Sequence, residues 1–424
     1  MFKHTTEAAL VLVIEDQKIF SQMLTTLLQQ RLGCKVLKAE TLAAARELLQ
    51  QHGTQIQAAV CDLHLPDASG SCIIEAVQAF GIPAIAMTGK FSEELRQELM
   101  RHGVVDYVLK DSISSFDYVQ SLINRLLRNR SVKALIVDDS VSARQILQAH
   151  LRQQGIEAML AGDGEEALSM LRSHPDISLV LTDHEMPRMS GVALTAEIRK
   201  FRKKEQLAVI GVSGNGNSKL SSQFLKHGAN DFITKPFSYE ELLCRVSQNL
   251  DMLDLIQSNR QAAISDFLTG LYNRRYFFEQ GAYAFRQTIS QMQHLHLAVI
   301  DIDHFKRIND VCGHEYGDLA LRQTAKHLKE FFQKDLVGRF GGEEFVVLFC
   351  ASDSQNVARR LEDFRQRQQD VPLRMPDGSE HPVQVSVGCV RREKESDLQQ
   401  MIHEADTLLY QAKQTGRNRI ISRF

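Results

Sequence analysis

Five chemically competent positions close short apolar runs in the first 250 residues, and the set occurs twice. Leu10-Val11-Leu12-Val13-Ile14 ends in Glu15 and Asp16, and Ala134-Leu135-Ile136-Val137 ends in Asp138 and Asp139. Ala58-Ala59-Val60-Cys61 ends in Asp62, and Leu179-Val180-Leu181-Thr182 ends in Asp183. Later runs end in Thr88 and Ser213, then in Lys110 and Lys235. Three carboxylates sharing a pocket repel one another unless a cation joins them, and oxygen ligands with room for water suit Mg²⁺. One Asp of each trio could then attack a phosphoryl group, while metal and Lys neutralise phosphate oxygens and the hydroxyl donates a hydrogen bond. The product would be an aspartyl phosphate. A polar loop after a strand explains any one of these positions; it explains five matched positions occurring twice poorly.

A second chemistry begins after residue 265. Leu297-Ala298-Val299-Ile300-Asp301-Ile302-Asp303 reads as a strand that puts Asp301 and Asp303 on one face, since side chains alternate with period two. Paired carboxylates there can carry a metal. Arg339-Phe340-Gly341-Gly342-Glu343-Glu344-Phe345 reads as a hairpin whose glycines permit a tight turn. If that hairpin lies beside the Asp301 strand, Asp301, Glu343 and Glu344 surround a divalent cation, an arrangement suited to nucleotidyl transfer. Lys306, Lys413 and Arg417 could hold a triphosphate, and Asn309 and Asp318 offer the donors and acceptors that a guanine edge requires. An acidic turn without catalysis accounts equally well for Glu343 and Glu344 taken alone.

These residues need elements to position them. Equivalent positions in the two halves recur after about 121 to 125 residues, which marks two copies of one domain. Short apolar runs alternate with amphipathic helical patterns, as in parallel sheets covered on both faces, where ligands sit at the carboxyl ends of strands. From Tyr239 to about Ile264 the pattern is helical, with Leu243, Val246, Leu250, Leu253 and Ile256 at three- or four-residue steps, so the last helix of the second copy is expected to run on into a coiled-coil stalk. The segment Gly214-Asn215-Gly216-Asn217 fits no dinucleotide or P-loop pattern and reads as an ordinary turn.

A chain of 424 residues calls for two to four domains. Its 50 basic and 52 acidic residues give a net charge of −2, which argues against a nucleic-acid or anionic-membrane coat. No apolar stretch approaches the roughly 20 residues of a membrane span, so a cytoplasmic protein without membrane insertion is expected. The seven Cys form no CxxC pair, and reduced thiols are expected.

The doubled constellation resembles the receiver domains of two-component response regulators, which implies two flavodoxin-like α/β domains with five-stranded parallel sheets. The resemblance implies that Glu15, Asp16, Asp62 and Asp138, Asp139, Asp183 hold Mg²⁺, with Asp62 and Asp183 as phosphoacceptors. Thr88 and Ser213 would sense the phosphoryl group, Lys110 and Lys235 would pair with it, and Tyr107 and Phe232 would be aromatic switches. The second copy follows the pattern more closely, with Met186-Pro187 after its Asp and Lys235-Pro236 where the family often uses a cis bond. The first has Lys110-Asp111, and 26 rather than 30 residues from phosphoacceptor to hydroxyl. The second copy is joined through the stalk directly to the last third of the chain, so Asp183 is expected to be the dominant input.

The last third resembles the GGDEF family of diguanylate cyclases through Asp266-Phe267-Leu268-Thr269-Gly270-Leu271, Asp301 to Asp310, Gly313-His314-Glu315-Tyr316-Gly317-Asp318, Gly341-Gly342-Glu343-Glu344-Phe345 and Ala412 to Arg419. That implies an α/β palm domain similar to nucleotide cyclases, and condensation of two GTP into cyclic di-GMP by a homodimer. It also implies metal contacts from Asp301, the Ile302 position, Glu343 and Glu344, guanine reading by Asn309 and Asp318, phosphate handling by Lys306, Lys413 and Arg417, and nucleotide approach at Gly341 and Gly342. A cognate histidine kinase or phosphotransfer protein would be the upstream partner. The expected organisation is receiver 8–128, receiver 132–250, helical linker 251–264 and cyclase 265–424. Family members with product inhibition carry Arg-x-x-Asp before the signature; here the run is Phe332-Gln333-Lys334-Asp335, so feedback at that site is expected to be weak or absent. The rival reading, a non-catalytic nucleotide- or partner-binding module, is disfavoured by the intact acids.

Overall fold

The computed structural model describes residues 8–89, 92–214, 218–290, 294–350, 353–374, 380–393 and 397–424. The turn expected at Gly214 to Asn217 falls largely on residues 215–217, outside the described residues. The chain forms two compact units, Met1–Ile256 and Gln257–Phe424.

The first unit holds two sheets of the same design. Strands Leu10–Ile14 (β1), Lys35–Ala39 (β2), Ile56–Asp62 (β3), Ala84–Thr88 (β4) and Asp106–Leu109 (β5) are parallel in the order β2-β1-β3-β4-β5. The continuous apolar run of β1 has a direct cause. Leu12 and Ile14 pack with Leu49, Ile73 and Val77 on one face, and Val11 and Val13 pack with Leu24, Leu28 and Val119 on the other. Each such side chain contributes roughly 1.5–3 kcal/mol when fully buried. The second sheet repeats this with Lys133–Val137 (β6), Glu157–Ala161 (β7), Ile177–Asp183 (β8), Ala208–Ser213 (β9) and Asp231–Thr234 (β10), in the order β7-β6-β8-β9-β10. In both copies strand order reverses beside the first strand, which opens a crevice at the carboxyl ends of β1 and β3 and of β6 and β8.

The two copies are joined by polar contacts that no local pattern announces. The Asn129 side-chain amide donates to the Gln154 carbonyl at 2.9 Å, in buried surroundings, and within the second copy the Gln154 side chain meets the Tyr239 hydroxyl at 3.1 Å. Burial pushes the Tyr239 phenol up to about 12. Arg128 pairs with Asp251 at 3.4 Å and also with Asp254.

Helix Tyr239–Ile264 runs unbroken for 26 residues. Leu242, Val246, Leu250 and Leu253 seat it on the second sheet's core, so Leu242 takes the place expected of the half-buried Leu243. Beyond Leu253 the helix has no buried residue, and Met252 and Leu255 are exposed.

In the second unit, Tyr272–Asn273 (β11), Leu295–Ile302 (β12), Leu336–Gly341 (β13), Glu344–Cys350 (β14), Val385–Arg391 (β15) and Ile420–Arg423 (β16) form one sheet, ordered β11-β13-β14-β12-β15-β16. Its central strand β12 is buried throughout and runs antiparallel to both neighbours. Among the described residues no helix is long and apolar enough to cross a membrane. All seven cysteines are free.

Candidate functional site

In the first receiver-like sheet, Glu15 and Asp16 follow β1 and Asp62 ends β3. One oxygen from each lies within 4.8 Å of the others, the one such acidic group among the described residues. Lys110, after β5, places its Nζ 2.6 Å from Asp62 Oδ2 and 2.5 Å from Glu15 Oε2, with all three side chains almost wholly buried. Burial pushes the Glu15 carboxyl up, against the pull of Lys110. Asp16 Oδ1 is buried without a hydrogen-bond partner. Three convergent carboxylates, one with an orphaned oxygen, are the donor set of a small divalent cation, so Mg²⁺ fits here. Thr88 is fully buried at the end of β4, and Tyr107 is half-buried on β5.

The second copy is built differently in detail. Lys235 Nζ reaches Asp183 Oδ1 at 2.7 Å and Asp138 Oδ2 at 3.0 Å. Burial opposes the charge on Lys235, but these two carboxylates outweigh it and hold the ammonium above its usual pKa. Asp183 Oδ2 accepts the Glu185 N–H at 2.8 Å. Asp139 is exposed and does not join Asp138 and Asp183 in a cluster as tight as that of the first copy. The copy that follows the sequence pattern less closely thus has the tighter acid group. Lys235-Pro236 is cis, Ser213 is buried, and Phe232 packs on Phe224 with ring centroids 5.5 Å apart.

At the end of β12, antiparallel register sets Asp301 opposite Glu344 on β14 and Ser386 on β15. Asp301 is 4% exposed and Lys413 Nζ lies 2.8 Å from its Oδ2. Burial is the main cause that lifts Asp301 to about 6; Lys413 opposes it, and Glu343 and Glu344 add to it. The Gly341-Gly342 turn takes φ values of 145° and 51°, both of which a side chain would strain. The Glu343 carbonyl accepts the Ile302 N–H at 3.4 Å, tying the turn to the central strand. A divalent cation would offset the burial cost of the Asp301 charge, so this oxygen-rich end of the sheet fits Mg²⁺. Asp301, Glu343 and Glu344 are nevertheless not drawn together as tightly as the first receiver's acids.

The remaining expected residues sit at the same end of the sheet. A left-handed His304 turns the chain from β12 into helix Phe305–Cys312, which carries an exposed Lys306 and a half-buried Asn309. Helix His314–Phe331 follows and carries Asp318. A Cβ on its buried Gly317 would lie 1.9 Å from Asn309 Oδ1, so only glycine lets the two helices approach with Asn309 in this position. Arg417 is exposed in the turn after helix Leu398–Gln414, just before β16.

Long-range contacts of Arg339 and Asp303 escape a reading of local pattern. Arg339 donates from Nη2 and Nε to the Gly342 carbonyl at 2.6 and 3.1 Å, and from Nη1 to Asp266 Oδ1 at 2.9 Å. The same Asp266 oxygen accepts the Thr269 amide and hydroxyl at 2.9 and 2.6 Å. The Asp266 to Thr269 motif therefore brackets the glycine turn. Asp303 shares a face with Asp301, where paired carboxylates can carry a metal, but both its oxygens are engaged, by the Ser386 hydroxyl and the Asn418 N–H.

Phe332 is 1% exposed, with ring centroids 5.4 Å from Phe349 and 5.6 Å from Phe364. Asp335 pairs with Arg360 at 2.5 Å, and the Arg360 guanidinium stacks 5.2 Å from the Phe332 ring centre. This position is part of the core rather than an anion-binding surface.

The response regulator receiver domain family matches residues 11–117 and 134–247, and the diguanylate cyclase GGDEF domain family matches residues 263–419. The chain belongs to the response regulators that join receiver domains to a GGDEF domain. It is similar to the response regulator PleD of Caulobacter vibrioides, with 29% identity over 301 residues, 69% of this chain and 66% of PleD, just under two thirds of that relative. Diguanylate cyclase DgcP of Pseudomonas aeruginosa is 38% identical over 166 residues, 39% of this chain and 25% of that protein. A crystal structure of a two-component system response regulator/GGDEF domain protein superposes with a TM-score of 0.53 at 38% identity, covering 58% of this chain and 99% of the other.

Proposed function

We propose that this chain is a diguanylate cyclase that condenses two GTP into cyclic di-GMP with release of pyrophosphate, and that phosphorylation of a receiver switches it on by pairing two chains. The carrying observation is the buried Asp301 carboxylate at the end of the central strand, 2.8 Å from Lys413 and beside the Gly341-Gly342 turn. In this reading Asn309 and Asp318 hold the guanine edge, and Lys306, Lys413 and Arg417 hold the triphosphate. Gly341 and Gly342 admit the nucleotide against the backbone. Asp301, Glu343 and the Ile302 carbonyl would hold Mg²⁺, which would supply charge neutralisation on the phosphate oxygens. The exposed Glu344 carboxylate is available to take the proton of the attacking 3′-hydroxyl. That oxygen bonds to the α-phosphorus of the second GTP as its bond to pyrophosphate breaks, and the reciprocal step closes the ring.

Each catalytic domain presents one GTP, so two must face each other, and pairing raises the effective concentration of the half-sites. Asp183 is the proposed principal phosphoacceptor, and a histidine kinase or phosphotransfer protein the proposed donor.

The test is to incubate the purified protein with GTP and Mg²⁺, with and without beryllofluoride, identifying products by chromatography and mass by light scattering. Cyclic di-GMP rising together with dimer is expected. No cyclic di-GMP in either state would sink the cyclase reading in favour of a binding module.

A further inference from the structure

Asp303 lies two residues beyond Asp301, yet its chemistry is spent elsewhere. It is 4% exposed; Oδ1 accepts the Ser386 hydroxyl at 2.7 Å and Oδ2 accepts the Asn418 backbone N–H at 2.9 Å. Asn418 ends a turn in which Gly416, Arg417 and Asn418 take φ values of 121°, 57° and 45°. Two consecutive side-chain-bearing residues in the left-handed region persist only where surrounding contacts over-determine them.

Those contacts converge on Asn418. Its Oδ1 accepts from Arg365 Nη1 at 2.9 Å, and its Nδ2 donates to Gln369 Oε1 at 2.9 Å. On either side, the Arg417 N–H donates to the Ala412 carbonyl at 3.0 Å, and the Arg419 carbonyl accepts the Val387 N–H at 2.9 Å. Asp303 is the member of this set that ties the turn to the strand bearing Asp301. The Arg417 side chain itself is left exposed, with its backbone held.

We infer that Asp303 is a positioning residue: its carboxylate fixes the Arg417–Asn418 turn against the central strand and so aims the Arg417 guanidinium at the triphosphate of the bound nucleotide. This rests on the nucleotidyl-transfer reading of the site. The inference separates Asp303 from Asp301, since a carboxylate whose two oxygens each accept a short hydrogen bond is built to hold backbone rather than to take up a cation.

The test measures binding of 3′-deoxy-GTP and 3′-deoxyguanosine to the full-length protein in Mg²⁺; neither ligand can react, because the attacking hydroxyl is missing. Asp303→Ala is expected to weaken 3′-deoxy-GTP roughly tenfold while leaving 3′-deoxyguanosine within about twofold. Arg417→Ala should do the same, and the double variant should be no weaker than Arg417→Ala alone, since both changes remove one interaction. Asp303→Asn should keep affinity within about threefold, because its oxygen can accept the Asn418 N–H while its amide donates to Ser386 Oγ. Equal loss of nucleoside and triphosphate, or additive losses in the double variant, would overturn the inference. If Asp303→Ala does not fold, Ser386→Ala serves instead: a selective loss of triphosphate affinity supports the role, and an unchanged ratio of the two affinities overturns it. Variants that show this pattern in a protein whose wild type forms no cyclic di-GMP would remove the cyclase reading and leave the positioning role at a nucleoside triphosphate site standing.

Discussion

Lys413 Nζ lies 2.8 Å from Asp301 Oδ2, a salt bridge that joins the last turn of helix Leu398–Gln414 to the end of the central strand. The ammonium partly offsets a carboxylate that burial has lifted to about 6. Lys413→Met removes that compensation together with the proposed phosphate contact. It should raise KM for GTP roughly tenfold or more in steady-state assays. An unchanged KM would take Lys413 out of substrate binding.

The acid group of the first receiver should stabilise its domain when Mg²⁺ is added. At a concentration ten times the dissociation constant, one bound ion contributes about 1.4 kcal/mol. Asp16→Asn removes one of the three converging negative charges and should abolish most of that Mg²⁺-dependent rise in melting temperature. A full rise in the variant would place the ion elsewhere.

Asp62→Asn and Asp183→Asn separate the two proposed inputs. Cyclic di-GMP synthesis stimulated by a small phosphodonor should survive Asp62→Asn and be lost in Asp183→Asn. The reverse result would give the principal input to the first receiver, whose acids and Lys110 are the more tightly drawn together.

Added cyclic di-GMP should not inhibit through the Phe332 to Asp335 run. Phe332 is buried among Phe349, Phe364 and Arg360, and Asp335 is already paired. Phe332→Arg should therefore not create a product site. It would put a second guanidinium into this core and cost several kcal/mol, on the order of other buried unpaired charges. Product titration and urea unfolding of this variant check both parts; strong noncompetitive inhibition with unaltered stability would contradict them.

His296 makes the second unit acid-sensitive. It is fully buried with Nε2 2.9 Å from Ser354 Oγ, and burial pulls it from 6.5 down to about 4. The unfolded chain takes up this proton near 6.5 and the folded chain only near 4. The stability contribution is thus complete above pH 6.5 and is lost as pH falls toward 4. By pH 5 the loss is about 2 kcal/mol. Hydrogen exchange of the Leu295–Ile302 amides at pH 7 and pH 5 reads it, and His296→Gln should flatten the difference.

Residues that close strands were readable from sequence because period, burial and chemistry coincide there. Ile14 is buried as the last residue of its strand and Glu15 is the first beyond it, so an apolar run followed by acids marks both sheet and pocket. Leu242 and Leu243 show where such reading loses resolution, since adjacent leucines fit a helical repeat equally well and only docking on the second sheet decides between them. Asp303, Arg339 and Arg360 lie beyond local reading for another reason. Their partners Asn418, Asp266 and Asp335 are far away in sequence, and periodicity carries no information about which distant residue completes a hydrogen bond.

The burial of Phe332 bears on how a cell would govern the proposed enzyme. A synthase with a product-sensing arginine at this position behaves as a closed loop that throttles itself as its signal accumulates. With an aromatic core residue there, that loop is open at this position: output would integrate the lifetime of the proposed aspartyl phosphate, and the ceiling on signal would fall to the enzymes that degrade it and to the supply of GTP.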